Sequence, residues 1–567
     1  MVNTAVNPVV SPAEALPDRW LTDWPRSPRM PFYTRANAGE VLADPASPLG
    51  WTLVFEKGLL PGWLRGLVEF GIYREGELPT ARPPVAGLFG GYFYINLSHC
   101  RVVAIRMGMT VEAFDAALLG SAAAAPPYQP HPDDPCEQCS AKVAQTIGEI
   151  LAASQFPQID ADLDRVLAKR RGRPDLTALS AAGLVAHARS FLPELDNAFA
   201  RHDYSTFGSA VGPAMLAEAC AAVGQPEALL DLISGYGEVP SASPSWGLWH
   251  LSRLANASPE FSEAFGGFLA EFGQRGPNEW DIRAVSWEAG PDQVLALVDS
   301  MRHLPDEDSP DARHARLEAT RQAAADRIRA ALPDDASRQS FDVALASSAR
   351  TIPLREKTKL IAVTTINEVR LALRELGRRG VTAGYYAAPE DVMMLLESEL
   401  DDYVADPARF APVIAERLAQ YLALFEIEPP FIIDTDPAPL PRWPRRARPR
   451  PAPAKTGEVL KGIGGSAGQF QGRARVAMDL PAAMALEPGE ILVAPLTDAA
   501  WTPLFLVAGA VVVDVGALNS HAVVVSRELG IPCVLSLQDG TARLRDGMEL
   551  AVDGTAGTVT VISAGQP

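Results

Sequence analysis

The residue best placed to do chemistry in this chain is His521, in the run Asp514-Val-Gly-Ala-Leu-Asn-Ser-His521-Ala-Val-Val-Val-Ser-Arg-Glu-Leu-Gly-Ile-Pro532. The valine-rich residues 511–515 suit a buried strand, and Gly516 begins a turn. Ser520 is the expected N-cap of a helix that runs from Ala522 to Leu529 and stops at Gly530 and Pro532. A histidine in that first turn lies beside unpaired backbone N–H groups and the positive end of the helix dipole, a prepared seat for an anion. The chemistry this predicts is phosphorylation of the imidazole, giving a reactive P–N bond that a hydroxyl oxygen attacks. The competing reading is a buried histidine that only caps the helix.

Moving a phosphoryl group demands positioning and cations for its oxygens. Arg355 and Lys359 lie four apart in a helical pattern, so both leave the helix from one face. With Glu356 and Lys357 alongside, the same spacing also describes a solvated helix face. Arg275 and Glu279, in Gly273-Gln-Arg-Gly-Pro-Asn-Glu-Trp-Asp281, either line the acceptor site or stabilise a turn. His202-Asp203 is a candidate base with its orienting carboxylate, or a packing pair on a helix. Cys136-Glu-Gln-Cys139 is a lone CxxC, which reads as an inert loop, a redox pair or part of a metal site. A structural zinc needs four ligands, and His99-Cys100 or His131 would supply the others only by folding onto that loop. No metal site is assigned.

The elements that must position these residues fall into four stretches. Residues 1–140 are mixed, with strand-like runs at Trp51–Phe55 and Tyr92–Leu97 and an Ala/Pro-rich connection over 120–140. From 141 to 433 apolar residues recur at helical spacing, as in 142–153, 214–224, 311–332, 356–378 and 412–427. Residues 434–456 hold seven prolines between 437 and 453 and five arginines from 442 to 450. That composition predicts an extended polyproline II linker with a reach of about 50 Å. Residues 457–567 form the last unit. The expected class is α+β multidomain: a mostly helical domain with a small mixed N-terminal part, then a linker, then a swivelling β/β/α domain.

At 567 residues and a net charge of −19, with mean hydropathy near zero, the chain reads as globular and argues against a general nucleic-acid or anionic-membrane binder. No apolar run reaches the length of a membrane span and no signal peptide is evident, so a cytoplasmic location is the expectation. The five cysteines do not make a disulfide framework in a chain this long.

The His521 segment, followed by Arg527-Glu-Leu-Gly-Ile-Pro532, resembles the mobile phosphohistidine domain of the phosphoenolpyruvate-utilising enzymes. The resemblance extends over 462–563, through Gly464-Gly-Ser-Ala-Gly468, residues 487–505 and residues 544–561. Ala517 and Asn519 depart from the usual pattern. Residues 35–51, 90–98, 273–282, 354–360 and 389–395 resemble, in order, the acceptor-binding domain of rifampin phosphotransferases, with Gln274 where that family commonly has histidine.

The resemblance implies that His521 is the nucleophile and that Arg355 and Lys359 face the phosphohistidine; Ser520 is a further expected phosphoryl contact, and Arg275, Glu279 and His202 are the candidate acceptor-site residues. Members of the family carry an ATP-grasp domain or a phosphoenolpyruvate-binding barrel. About 430 mostly helical residues before the linker show no Gly-rich phosphate loop. The expected donor therefore sits on a separate ATP-grasp protein, as in phenylphosphate synthase, with ATP and Mg²⁺ held there and none by this chain alone. The expected acceptor is a small apolar or aromatic alcohol or phenol. The rival readings are a non-catalytic phosphocarrier or regulator, and a resistance protein that binds a drug without transfer.

Overall fold

The computed structural model describes residues 16–119, 125–237, 239–256, 258–446, 451–517 and 520–564. A small antiparallel sheet near the N-terminus has the order β2-β3-β1-β4, built from β1 (Tyr33–Thr34), β2 (Ala86–Phe89), β3 (Tyr92–Asn96) and β4 (Ile432–Ile433). Tyr92, Phe93 and Tyr94 of β3 are buried in the core. The Tyr92 and Tyr94 hydroxyls donate to the carbonyls of Leu424 (2.8 Å) and Pro430 (2.7 Å), as buried phenols usually do.

The run Trp51–Phe55, expected as a strand, is part of a wide-turned π-helix, Gly50–Leu59, which continues into the helix Leu60–Phe70. Trp51, Leu53, Val54 and Phe55 are all buried, and a continuous apolar run carries no period to tell strand from buried helix.

The helical region is organised around two long helices, Leu192–Ala222 and Asp335–Thr382, packed side by side. Asp334 caps the second by accepting the Ser337 N–H at 2.7 Å. Gly212 permits the close approach, since a Cβ there would lie 2.4 Å from Ser348 Oγ. One apolar cluster runs from Leu16 through both helices to Trp443, so the small sheet and most of the helical region share a core.

The C-terminal unit is an eight-stranded mixed sheet ordered β5-β12-β11-β7-β8-β9-β10-β6. Its strands are β5 (Val459–Lys461), β6 (Ile463–Ser466), β7 (Gln469–Val476), β8 (Ile491–Ala494), β9 (Ala510–Val513), β10 (Cys533–Leu535), β11 (Glu549–Asp553) and β12 (Thr558–Ser563). Strands β7 to β10 run parallel, which requires covered faces and explains the unbroken apolar runs of β8 and β9. Ile491, Val493, Ala510 and Val512 point to a core shared with Leu550 and Val552. Leu492, Ala494, Val511 and Val513 point the other way, onto the helix His521–Leu529 and a cluster that includes Leu248, Trp287 and Leu297 of the helical region.

The two regions are therefore packed together through apolar side chains, and hydrogen bonds add to this. Glu528 accepts the N–H groups of Gly237 (2.8 Å) and Tyr236 (3.3 Å), and the Gly235 N–H donates to Arg527 O at 3.2 Å. No helix among the described residues is long and apolar enough to cross a membrane.

The expected free tether over 434–456 is corrected by the structure. Leu440–Arg442 is a 3₁₀ turn, and Leu440 and Trp443 are buried against the helical region. Arg446 donates to Ile427 O and to the Tyr92 hydroxyl, both at 3.0 Å. The far end is also held, with the Ala454 N–H on Arg543 O at 3.0 Å. Alternating prolines do extend the chain, but Leu440 and Trp443 between them supply enough apolar surface to dock it. Of the five arginines, Arg448 and Arg450 lie outside the described residues.

The CxxC pair is a disulfide, Cys136–Cys139, at the start of the helix Glu137–Ala152. His99 is buried elsewhere, bonded through Nδ1 to the Tyr73 hydroxyl at 3.0 Å. Among the described residues no group of three or more His, Cys, Asp or Glu is arranged to hold a metal ion.

Candidate phosphoryl-transfer site

His521 is the first residue of the helix His521–Leu529, which Gly530 ends in the left-handed conformation at φ +65°. Ser520 occupies the N-cap position, yet its buried hydroxyl makes no capping bond and has no partner. The imidazole is half-buried, edge-on to Phe505. Its Nδ1 lies 3.0 Å from Thr497 Oγ1 and its Nε2 lies 2.8 Å from Thr502 Oγ1. A neutral imidazole has one N–H and one lone pair, so one threonine accepts and the other donates. Burial first, then the Lys359 and Arg275 cations, holds the ring's pKa well below the ordinary histidine value. At neutral pH the ring is unprotonated and keeps a lone pair for phosphorus.

The helical region presents a charged cluster to this imidazole. Segment 273–282 is held by Arg370, which donates to the carbonyls of Glu279 (2.7 Å) and Asp281 (3.0 Å), and by Ser47, whose N–H and hydroxyl both reach the Asp281 carboxylate at 2.6 Å. Asn278, at φ +46°, turns its N–H onto Asp498 Oδ2 at 2.8 Å, joining the segment to the C-terminal unit. Glu279 then bridges two cations, with Arg275 Nε at 3.1 Å and Lys359 Nζ at 3.2 Å.

Arg275 is only 1% exposed, and none of its three guanidinium nitrogens makes a hydrogen bond. The Glu279 carboxylate balances its charge but takes no hydrogen bond from it, so the guanidinium near His521 keeps donors for an anion.

Arg355 and Lys359 leave one face of the long helix, as their spacing predicts. Arg355 Nη1 pairs with Glu356 Oε1 at 2.5 Å, and Ser241 donates to the same carboxylate. Burial pushes the Glu356 carboxyl up, but the Arg355 and Lys359 cations and the Ser241 bond outweigh it and hold the pKa below the usual range.

His202 stands at the edge of this cluster rather than within it. Its Nδ1 bonds Thr358 Oγ1 at 3.1 Å, and its ring packs near Phe199 and Trp280. Burial and the Arg355 charge depress its pKa to about 3, which makes it a weak proton acceptor. The expected His202–Asp203 pair does not form. Asp203 Oδ2 is buried without a partner, and its side chain packs where Gly66 leaves room.

Sequence reasoning missed the groups around the imidazole that come from other segments: Thr497, Asp498, Thr502, Ser241 and Glu40. Asp498 caps the 3₁₀ helix Ala499–Leu506 that carries Thr502, and burial raises its pKa to about 6. Glu40, on the short helix Ala38–Val41, accepts the Ala517 N–H through Oε1 at 3.2 Å. The sequence signal for them was the family resemblance of 487–505, which holds Thr497, Asp498 and Thr502, and of 35–51, which holds Glu40; Ser241 lies in neither stretch.

Beside the cluster, a cavity of about 950 Å³ opens between the two regions. Gly39, Trp287, Leu297, Phe431, Met478, Leu480, Met484 and Trp501 give it an apolar wall, and Arg35, Asp44, Glu428, Arg446 and Asp498 give it a polar side.

Comparison with known proteins agrees with this geometry. Residues 202–356 match the fourth domain of rifampicin phosphotransferase, and residues 486–557 match the mobile domain of PEP-utilising enzymes. An uncharacterized protein of Mycobacterium tuberculosis is 34% identical over 314 residues, covering 55% of this chain and 33% of that protein. A rifampicin phosphotransferase of Streptomyces sviceus is 30% identical over 313 residues, covering 54% and 35%. The prodigiosin synthesizing transferase PigC of Serratia marcescens is 30% identical over 304 residues, covering 52% and 33%. The chain spans about a third of the length of these relatives. By these matches, the chain joins a region similar to the fourth domain of rifampicin phosphotransferase to a region similar to the mobile domain of phosphoenolpyruvate-utilising enzymes.

Proposed function

We propose that this chain is a phosphotransferase component in which His521 carries a phosphoryl group from a donor to the hydroxyl of a small-molecule acceptor. The observation that carries the reading is the buried Arg275 guanidinium, ion-paired with Glu279 but without a hydrogen bond, set near a neutral His521, with Lys359 on the same Glu279. Unphosphorylated, this pocket leaves donors unsatisfied. A phosphoryl group on the imidazole supplies the acceptor oxygens, with Ser520 Oγ as a further donor.

In the transfer itself, Arg275, Lys359 and Arg355 hold the phosphoryl oxygens while charge spreads over them. The acceptor enters from the neighbouring cavity, whose largely apolar wall and aromatic residues suit an apolar or aromatic alcohol or phenol.

For the donor, we assign ATP held with Mg²⁺ by an ATP-grasp protein separate from this chain, and we place the reaction in the cytoplasm. The resemblance to rifampin phosphotransferases and to phenylphosphate synthase supports the donor. The acidic charge, with no membrane-length helix among the described residues, is compatible with the location.

The test is to incubate the chain with Mg²⁺–ATP, ATP-grasp proteins from the same cells and a panel of alcohols and phenols. Formation of AMP together with a phosphate ester, lost in His521→Ala, is the expected result. A chain that becomes charged on His521 but never passes the group on would instead be a phosphocarrier.

A further inference from the structure

We propose that Glu40 is the catalytic base that takes the acceptor's hydroxyl proton during phosphoryl transfer from His521; this role rests on the phosphocarrier reading above. Glu40 touches the turn that presents the histidine: its Oε1 receives the Ala517 N–H at 3.2 Å, and Ala517 O receives the Ser520 N–H at 2.8 Å. Its short helix is fixed from within the core, because the Arg35 guanidinium donates to the carbonyls of Leu42 (3.0 Å), Ala43 (2.9 Å) and Phe93 (2.8 Å). Gly39, the chain neighbour of Glu40, and Val515, two residues before Ala517, both line the cavity, so the Glu40–Ala517 contact lies at its edge.

The other titratable groups of the charged cluster at His521 are committed elsewhere. Glu279 bridges Arg275 and Lys359. Asp498 accepts the N–H groups of Asn278 and Ala500. Glu356 is held by Arg355 and Ser241. His202 is bonded to Thr358 and weakly basic. The Glu40 carboxylate makes one hydrogen bond among the described residues, which leaves an oxygen for a substrate.

The charges that face Glu40 are Arg355 and Lys359 on the long helix, and Lys359 also faces His521. Burial raises the Glu40 pKa to about 8 against the pull of the Ala517 N–H and those two cations. A base of that strength sits near the pH at which the chemistry is expected to run.

The step balances as follows. The phosphoryl group is on one ring nitrogen and a proton on the other, hydrogen-bonded to its threonine hydroxyl. The P–N bond breaks, and its electron pair stays on the imidazole, which leaves neutral. The hydroxyl oxygen forms the new P–O bond, and its proton passes to the Glu40 carboxylate. The products are a phosphate ester, neutral His521 and protonated Glu40, with no oxidant or further reactant.

The experiment charges the full chain with phosphoramidate, a small P–N phosphoryl donor, and then adds phenol as the probe acceptor between pH 6 and 9.5. Phosphohistidine loss and phenyl phosphate appearance are followed together. In the native chain the transfer rate should rise about tenfold per pH unit and level off above pH ~8, as expected for a general base. Glu40→Gln should charge normally, lose the pH-dependent rise and transfer about 10²-fold more slowly at pH 8. Glu40→Asp should restore part of the rise. Normal charging in each variant reports that the fold is intact.

Glu40→Gln transferring at the native rate with the native pH profile would overturn the inference and leave the carrier reading standing. A native chain that does not charge on His521, or that loses phosphoryl at the same rate without phenol, would overturn both.

Discussion

Arg275 and Lys359 owe their significance to what they lack as much as to what they touch. Arg275 is buried against Glu279 with none of its guanidinium nitrogens hydrogen-bonded, and removing one partner of a buried ion pair usually destabilises the fold. Arg275→Lys, which keeps a cation on Glu279, should therefore hold the melting temperature while slowing transfer to the acceptor by about 10²–10³-fold, the usual loss for one donor to developing charge. A coupled fall in both, measured by thermal unfolding and transfer assays, would make Arg275 structural. Arg355→Ala with Lys359→Ala should slow the acceptor half-reaction more than the charging of His521; equal losses would place the pair elsewhere. At this scale the sequence displayed the local features, namely the strand, turn and histidine around His521 and the four-residue spacing of Arg355 and Lys359. Glu40 meets Ala517 across 477 residues of sequence, and no local pattern reports a contact formed only when two regions pack.

Gly530 shows how an element can serve both the fold and the site. It closes the His521 helix at φ +65°, and a Cβ there would also meet Leu317 of the neighbouring helical region at 3.3 Å. Gly530→Ala should cost about 1–2 kcal/mol from the left-handed backbone alone, seen as a lower unfolding midpoint, and an unchanged midpoint would show that the helix ends elsewhere. Elements with a clear period or a strong stop signal were legible in sequence. The helix expected over 522–529 runs His521–Leu529, and the stretches read as helical at 311–332 and 412–427 are helices Pro310–Ala331 and Pro407–Leu424. The expected helix at 356–378 proved to be part of Asp335–Thr382, because its buried Ser and Thr positions interrupt the apolar period without breaking the helix. Trp51–Phe55 and the proline-rich segment failed for one reason: apolar side chains docked where the local pattern gave no period.

For the whole molecule, the C-terminal unit rests on the helical region through one apolar cluster and through carboxylates that accept backbone N–H groups across the boundary. Burial raises the pKa of Glu528, of Asp498 to about 6 and of Glu40 to about 8. If the unit swings away, these groups return toward ordinary carboxylate values, so the docked state binds more protons. Docking should be firmest below about pH 4 and weaken as pH rises through about 6 and then 8. Interdomain fluorescence transfer across that range would show it, and docking that tightens with rising pH would contradict the packing described here. The order of the regions was legible from composition, but their contact was not, since Leu248, Trp287 and Leu297 read as ordinary helical core until the sheet is placed against them. The measurement that bears most directly on the account is site mapping of the phosphoryl group after incubation with β-labelled ATP and an ATP-grasp partner. The account predicts acid-labile, base-stable label on His521 alone, absent from His521→Ala; label on any other residue, or label that persists in that variant, would contradict it.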